Sequence, residues 1–501
     1  MAHGVSRAGH RLPAMPTKKT ALYRTDFLPH RMNTGKERNV RALLAAWRKS
    51  SVDEAAFQWR LVFTEGQPNK RHKTKLSDQT IGAAYQQMVR WQVVGQIESW
   101  LSNRANEFRE LVNASSLAPA VKHQLHFINR WQAWYSPEPL KMKDGTDIPA
   151  EVRRLARTIF RRLLNRHRKP DFSRASMIVD QRAITLAPAS RASAHPLWAR
   201  LSTLDKGKRI EVPLATYDHF ERRQGSRALS VQVIERDGEI VFGIMTDVAE
   251  AFAASRGDYR PRCEAIALDF GLKTLFATDQ GDLLGRGWLE RLQACDRRIM
   301  KLAAHRQRMG LKPRSERYKR YVAQLRGYVR SEVGRILNRL IDTHAPAQIV
   351  VERLNFRNPN LSKRLNRILS KFGKAEVARK LKDLEERFGI TTTEVPAAYS
   401  SQEDASCGYV DTRNRPRQEH FCCRWCGHQR HADVNAARNL LRRRSDATLG
   451  DSRRRKAAIL AELVTRFNER HPRPQGGPAD PRFSNPYFRE WKAQVTLTDP
   501  W

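Results

Sequence analysis

Apolar and polar positions change their period twice along this chain of 501 residues. From Asn33 to about residue 165 the spacing is helical. Val40, Leu43, Leu44 and Trp47 share a face, followed by Ile81, Tyr85, Met88, Trp100, Leu101, Phe108 and Leu111, then by Val121, Leu125, Ile128 and Trp131, and then by residues 159–164. The tryptophans keep that spacing, so they are expected inside a helical core and not on the surface as base-stacking platforms. Around Pro170 the period drops to two. Residues 177–179, 183–186, 198–201, 209–213, 228–234 and 239–245 read as strands, with turns at 205–208 and at Asp237-Gly238. With a short strand over residues 20–28, they predict a small β-barrel.

A third pattern begins at Glu264. Residues 265–268 form an apolar strand that ends on Asp269; Gly271 permits a tight turn or close approach, 274–278 form a second strand, and Asp279-Gln-Gly281 closes a hairpin into Leu283 and Leu284. Two long helical segments follow, one carrying Trp288, Leu292, Ile299 and Leu302, the other Tyr318, Val322, Leu325, Ile336 and Leu340. The β-branched run 348–351 repeats the earlier device by ending on Glu352. A helix over 361–388 stops at Gly389, and a strand covers 391–395. Residues 1–19 are basic and aperiodic, as expected of an arm without its own core, and the end of the chain combines a helix over 455–468 with a Pro/Gly-rich stretch.

Charge narrows the function. Lys and Arg number 92 against 52 Asp and Glu, a formal net charge of +40 spread over the whole length. Such a surface calls for a polyanion, and nucleic acid is the expected one, because phosphate neutralisation releases counterions. No apolar run reaches the ~18 residues of a membrane span, and the first residues lack a signal-peptide pattern, so no membrane partner and a cytoplasmic location are expected. Six cysteines do not make a secreted disulfide framework, and Cys407, Cys422, Cys423 and Cys426 fall within twenty positions, a metal-binding distribution.

Asp269 alone could cap a turn through Gly271. Glu352 and Asp433, the latter opening a helical run His431-Ala-Asp-Val-Asn-Ala-Ala-Arg-Asn439, supply two further acids in the same kind of setting. An acid on one strand, an acid closing a later strand and an acid opening a final helix can converge in one layer, and such a cluster needs cations. Hard oxygen ligands favour Mg²⁺ or Mn²⁺; a pair of such ions activates water and stabilises the leaving oxygen of a phosphodiester. Between Glu352 and Asp433, Cys423-Arg-Trp-Cys426-Gly427 reads as half of a zinc knuckle. The other half has Cys407 with Asp404 where a second cysteine is expected. Asp404 can supply an oxygen ligand, Cys422, His420 or His428 can substitute, or the finger holds no metal and relies on packing.

Together ALDFGLKTLFA, VVERLN and the finger running into HADVNAARN resemble the three motifs of the RuvC-type nuclease domain of transposon-encoded TnpB proteins and the similar compact type V CRISPR effectors. The resemblance is specific over about residues 260–441 and rests on layout alone before that. It implies a multidomain α+β protein: a β-barrel wedge domain formed by residues 1–32 and 171–259, a helical recognition lobe over 33–170, an RNase H-like nuclease domain over 260–400 and 431–441, a zinc-finger-like insert over 401–430 and a basic tail over 442–501. It further implies that Asp269, Glu352 and Asp433 are the catalytic acids and that they hold two Mg²⁺ or Mn²⁺ ions; the family's finger carries two CxxC pairs around its Zn²⁺, so Cys407, Cys423 and Cys426 fit that pattern and Asp404 departs from it. The implied partners are a guide RNA held by one or two copies of the chain, duplex DNA bearing a short flanking motif, and the displaced single strand. Guided silencing by occupancy without cleavage is the competing function; a guide-independent nuclease fits the long N-terminal half less well.

Overall fold

Described here is a computed structural model covering residues 21–497 apart from 73–80, 137, 143, 190–193, 237, 272, 353–360, 452–453 and 473–479. The arm expected over 1–19 and Asp237 of the predicted turn lie outside the described residues. The chain forms two compact units, one up to Ala251 and the other from Phe252.

In the first unit β1 (Tyr23–Pro29) leads into α1 (Thr34–Thr64), whose first turn is fixed by Asn33 Oδ1 accepting the Lys36 N–H at 2.9 Å. Then come α2 (Ala83–Ala114), α3 (Pro119–Arg130) and α4 (Ala150–Arg166). Val40, Leu43, Leu44, Trp47, Tyr85, Met88, Phe108, Leu125 and Ile128 are buried together, as their spacing predicts. Two positions depart from it. Leu111 is exposed, and so is Trp131, because α3 ends at Arg130 and the helical phase no longer applies one residue later. Trp134 turns inward instead and stacks on Phe160 with centroids 4.0 Å apart.

The strands that follow are β2 (Met177–Val179), β3 (Ile184–Pro188), β4 (Leu197–Ser202) and β5 (Arg209–Leu214), then a short helix α5 (Asp218–Glu221), and then β6 (Ser226–Arg236) and β7 (Glu239–Asp247). They do not close into the predicted barrel. One sheet runs β1-β7-β6-β2 and the other β3-β4-β5, and among the described residues they are joined by the bridge His30–Leu214. Pro29 ends β1 and Pro213 sits in β5; neither has the N–H that a longer ladder across this seam would require.

After α6 (Ala249–Asp258), the second unit is built on β8 (Cys263–Phe270), β9 (Phe276–Thr278), β10 (Leu283–Leu284), α7 (Trp288–Arg308), α8 (Glu316–His344), β11 (Pro346–Glu352), α9 (Lys363–Ile368), α10 (Lys374–Phe388) and β12 (Thr391–Val395). The sheet order is β10-β9-β8-β11-β12, with β8 antiparallel to β9 and parallel to β11. Both faces of this sheet are covered. Ile266, Leu268, Ile349 and Val351 pack with residues of α7, α8 and α10, while Ala267, Val350 and Val395 meet Leu440 on the other side. Double coverage explains why β8 and β11 read as unbroken apolar runs. The helix expected over 361–388 is interrupted by a π turn at Leu369–Gly373.

The finger carries β13 (His420–Cys422) and β14 (Gln429–His431) and passes directly into α11 (Ala432–Arg443). Beyond it, α12 (Lys456–Arg470) and α13 (Arg489–Leu497) end the described chain. Ile459, Leu463 and Phe467 of α12, with Phe488, share one core with Tyr409, Val410, Phe421 and Cys423, so the C-terminal segment packs on the finger. Among the described residues no helix is long and apolar enough to cross a membrane.

Candidate functional site

Leu268 and Val351 are register partners in the parallel pair β8/β11, so the next residue on each strand, Asp269 and Glu352, stands at the same level at the strands' carboxyl ends. Side chains alternate along a strand, which puts both acids on the face of Ala267 and Val350, the face that α11 covers. Asp433 lies in the first turn of α11, where the helix dipole favours a negative charge. The three predicted acids are thereby brought together.

Several contacts fix this arrangement. Asn435 and Asn439 of α11 are buried and donate to the Glu403 carbonyl, both at 2.7 Å, and Asn439 also donates to the Ser400 carbonyl. Arg443, equally buried, pairs with the Glu403 carboxylate at 2.8 Å. The turn after β8 approaches so closely that a Cβ on Gly271 would stand 2.6 Å from the Thr274 carbonyl oxygen and 3.4 Å from Asp433 Oδ2. Only glycine fits there.

Little positive charge offsets the acids. Burial, then the carboxylates of Glu352 and Asp433, hold Asp269 well above the usual carboxylate range. Glu352 is pushed up to about 7, by burial first and by Asp433 as well, against the stabilising hydrogen bond from the Phe270 N–H. The guanidinium that does reach the cluster belongs to Arg415, which pairs with Asp433 Oδ1 at 2.8 Å while donating to the Gln418 carbonyl. Sequence reasoning missed Arg415: it is one of 92 Lys and Arg, and nothing local distinguishes it. A cavity of about 610 Å³ opens beside this region, lined by Lys273, Thr274, Arg286, Gln293, Glu419 and His431. His431 also caps α11 through Nδ1, which accepts the Asp433 N–H at 3.3 Å.

The second cluster lies in the finger. One oxygen or sulfur from each of Asp404, Cys407, Cys423 and Cys426 falls within 4.8 Å of all the others. Cys422 and His420 are not in this set. Asp404 is fully buried, and its Oδ1 accepts the N–H groups of Ser406 at 2.6 Å and Cys407 at 2.9 Å. Its Oδ2 lies 4.0 Å from Cys426 Sγ and 3.7 Å from His428 Nδ1. One carboxylate oxygen thus holds the turn while the other faces the thiols. Cys407 Sγ and Cys423 Sγ are 3.6 Å apart; the thiol contact draws Cys423 down to about 7 and drives Cys407 far up. Three sulfurs and one oxygen at this spacing suit a tetrahedral Zn²⁺.

Residues 375–440, which include the finger and Asp433, match the family described as Cas12f1-like, TNB domain. Over this stretch the chain is similar to that family. The CRISPR-associated endodeoxyribonuclease Cas12f1 of Sulfoacidibacillus thermotolerans is 39% identical over 67 residues, which is 13% of this chain and 16% of that protein. InsQ of Escherichia coli (strain K12), named as an RNA-guided DNA endonuclease, is 38% identical over 85 residues, 17% of this chain and 21% of that protein. The matches thus span about a sixth and a fifth of those relatives. The resemblance to TnpB-like and type V effector proteins is borne out by these matches. Among solved structures, the Cas12f1–sgRNA–target DNA complex gives a TM-score of 0.40 at 13% identity, covering 84% of this chain and 98% of that one. C2c1 of Alicyclobacillus acidoterrestris with single-guide RNA gives 0.45 at 10% identity, covering 84% and 88%. Scores of that size carry no inference for this chain.

Proposed function

We propose that this chain is an RNA-guided, Mg²⁺-dependent DNA endonuclease whose active site is Asp269, Glu352 and Asp433 on an RNase H-like sheet. The observation that carries the reading is the convergence of these carboxylates, Asp269 and Glu352 held unusually basic, in a protein of net charge +40. Mutually repelling buried acids cost stability unless they do chemistry or hold cations. The three acids would be the ligands, and divalent ions bound there supply an activated water and charge stabilisation at a phosphodiester. The chain's own contribution is to hold the carboxylates rigidly, with Asp433 anchored through Asn435, Asn439 and Arg443, and to draw the DNA backbone in through its cationic surface.

The names of the relatives support the guided, DNA-cutting part of this reading, and the finger would hold Zn²⁺ next to the acids. The partners are a guide RNA, a duplex with a short flanking motif and the strand displaced from it. The test is to purify the protein with its RNA, sequence that RNA, and incubate the complex with Mg²⁺ and plasmids bearing the matching target beside randomised flanks. Depletion of one flanking motif is expected. Motif-selective retention of uncut plasmid would instead establish silencing by occupancy.

A further inference from the structure

The helical part of the first unit carries a polar cavity of about 390 Å³ between α2 and α3, lined by Arg109, Asn113, His126, Asn129 and Arg130. Arg109 and Arg130 are exposed, and neither has an ion pair among the described residues. His126 is held below its usual range, chiefly by burial and then by Arg109, His123 and Lys122. Two guanidiniums without carboxylate partners beside further cationic side chains make a strong local positive field, suited to a phosphate. The volume is in the range of small-ligand sites.

Trp131 follows Arg130 directly and is 64% exposed. Its ring has no aromatic or cation–π partner among the described residues. The position is enforced by the backbone: Gln132 has φ +52°, a left-handed conformation rare for a non-glycine residue, and the turn is closed by the Ala133 N–H bonding to the Ile128 carbonyl at 3.0 Å. Gln132 Nε2 also reaches Ser102 Oγ on α2 at 3.3 Å. A strained, tied-down turn that sends one tryptophan outward while Trp134 is buried is a costly way to expose an aromatic face unless that face binds something.

We infer that Arg109, Arg130 and Trp131 form a subsite for one unpaired nucleotide of RNA, the guanidiniums on its phosphate and the indole against its base. Stacking on a side chain requires a base that is free of its own neighbours, as in loops and single-stranded stretches. RNA is favoured over DNA by the remaining wall. A neutral His126 keeps one ring nitrogen as an acceptor, and the Asn113 side-chain carbonyl is a second; both can take a hydrogen bond from a ribose 2′-OH, which deoxyribose lacks. The inference rests on the proposed RNA-guided function and assigns part of the RNA contact to this cavity.

The test uses the full chain with two fluorescein-labelled probes, an unstructured 12-nucleotide RNA and the DNA of the same sequence, by anisotropy across a salt series. Trp131→Ala is expected to weaken RNA binding about tenfold and Trp131→Phe far less. Arg109→Ala with Arg130→Ala should lower the salt slope by about 0.7, the value for one lost phosphate contact on a single strand. Ultraviolet crosslinking of the RNA-bound protein should place a nucleotide on the tryptic peptide that begins at Trp131. Unchanged RNA affinity in Trp131→Ala, equal losses on RNA and DNA, or crosslinks confined to other peptides would overturn the inference. Because Trp131 is exposed, its variants should melt with the wild type, and guided plasmid cleavage by the wild type keeps a failure here separate from a failure of the nuclease reading.

Discussion

The second unit holds two clusters of side chains of metal-binding type, and they are built in opposite ways. The finger set is local: Asp404 to Cys407 and Cys423 to Cys426 are two short turns, each placing its pair of donors by its own backbone hydrogen bonds. The acid set is assembled at long range, from the ends of β8 and β11 and the start of α11, and no short segment contains two of its members. Locality decides what each can do. A knuckle whose donors are mainly thiols and whose turns are self-supporting is a staple for the segments it joins. Acids that repel one another on a rigid sheet keep cation binding responsive to whatever enters the site, as phosphodiester chemistry requires.

If this contrast holds, removing a ligand from each cluster should have opposite signatures. The largest effect is expected for Glu352→Gln, which should lower Mg²⁺-dependent cleavage by on the order of 10³-fold without lowering the melting temperature, since it removes a charge that burial disfavours. Cleavage rates and thermal melts on the same preparation check it. The finger should behave in reverse. Cys423→Ser is expected to remove zinc from the protein by elemental analysis and to lower the melting temperature by several degrees, on the scale of a few kcal/mol in a domain of this size. Asp404→Ala should cost less, about 1–3 kcal/mol, from the unpaired N–H groups of Ser406 and Cys407. Zinc-free wild-type protein with an unchanged melt would break the comparison.

The smallest effect is a pH dependence. Glu352 is raised from 4.5 to about 7, so the folded state favours its protonated form. Stability from this source is fully present below about pH 4.5 and is lost as pH rises through about 7; Asp269 acts in the same direction. In EDTA the melting temperature should therefore fall between pH 5 and 8, the fall should shrink in Glu352→Gln, and Mg²⁺ should oppose it most at the alkaline end. A fall of equal size in the variant would remove Glu352 from the account.

The same contrast explains what could be read from the chain. Asp269 and Glu352 were legible because an acid ending an unbroken apolar run violates the strand's own pattern. The knuckle was legible from spacing alone, and Asp404 from its place three residues before Cys407. Arg415 was not, since its role depends on the finger folding back on α11. Barrel closure failed for a related reason: each strand was visible, but whether two sheets join depends on partners far away, and Pro29 and Pro213 stop the pairing at one bridge. Trp131 shows where periodicity ends. Its phase fits α3, but the helix stops one residue earlier.

The most direct test of the central claim is Asp433→Asn in the RNA-bound protein, with target binding and Mg²⁺-dependent cleavage measured on one matched DNA. Asp433 is held by the α11 anchors and its charge acts on Asp269 and Glu352, so the substitution should leave binding within about twofold and abolish cutting. Cleavage that survives, or binding that is lost in step with it, would contradict the assignment of these carboxylates as a metal-dependent nuclease centre.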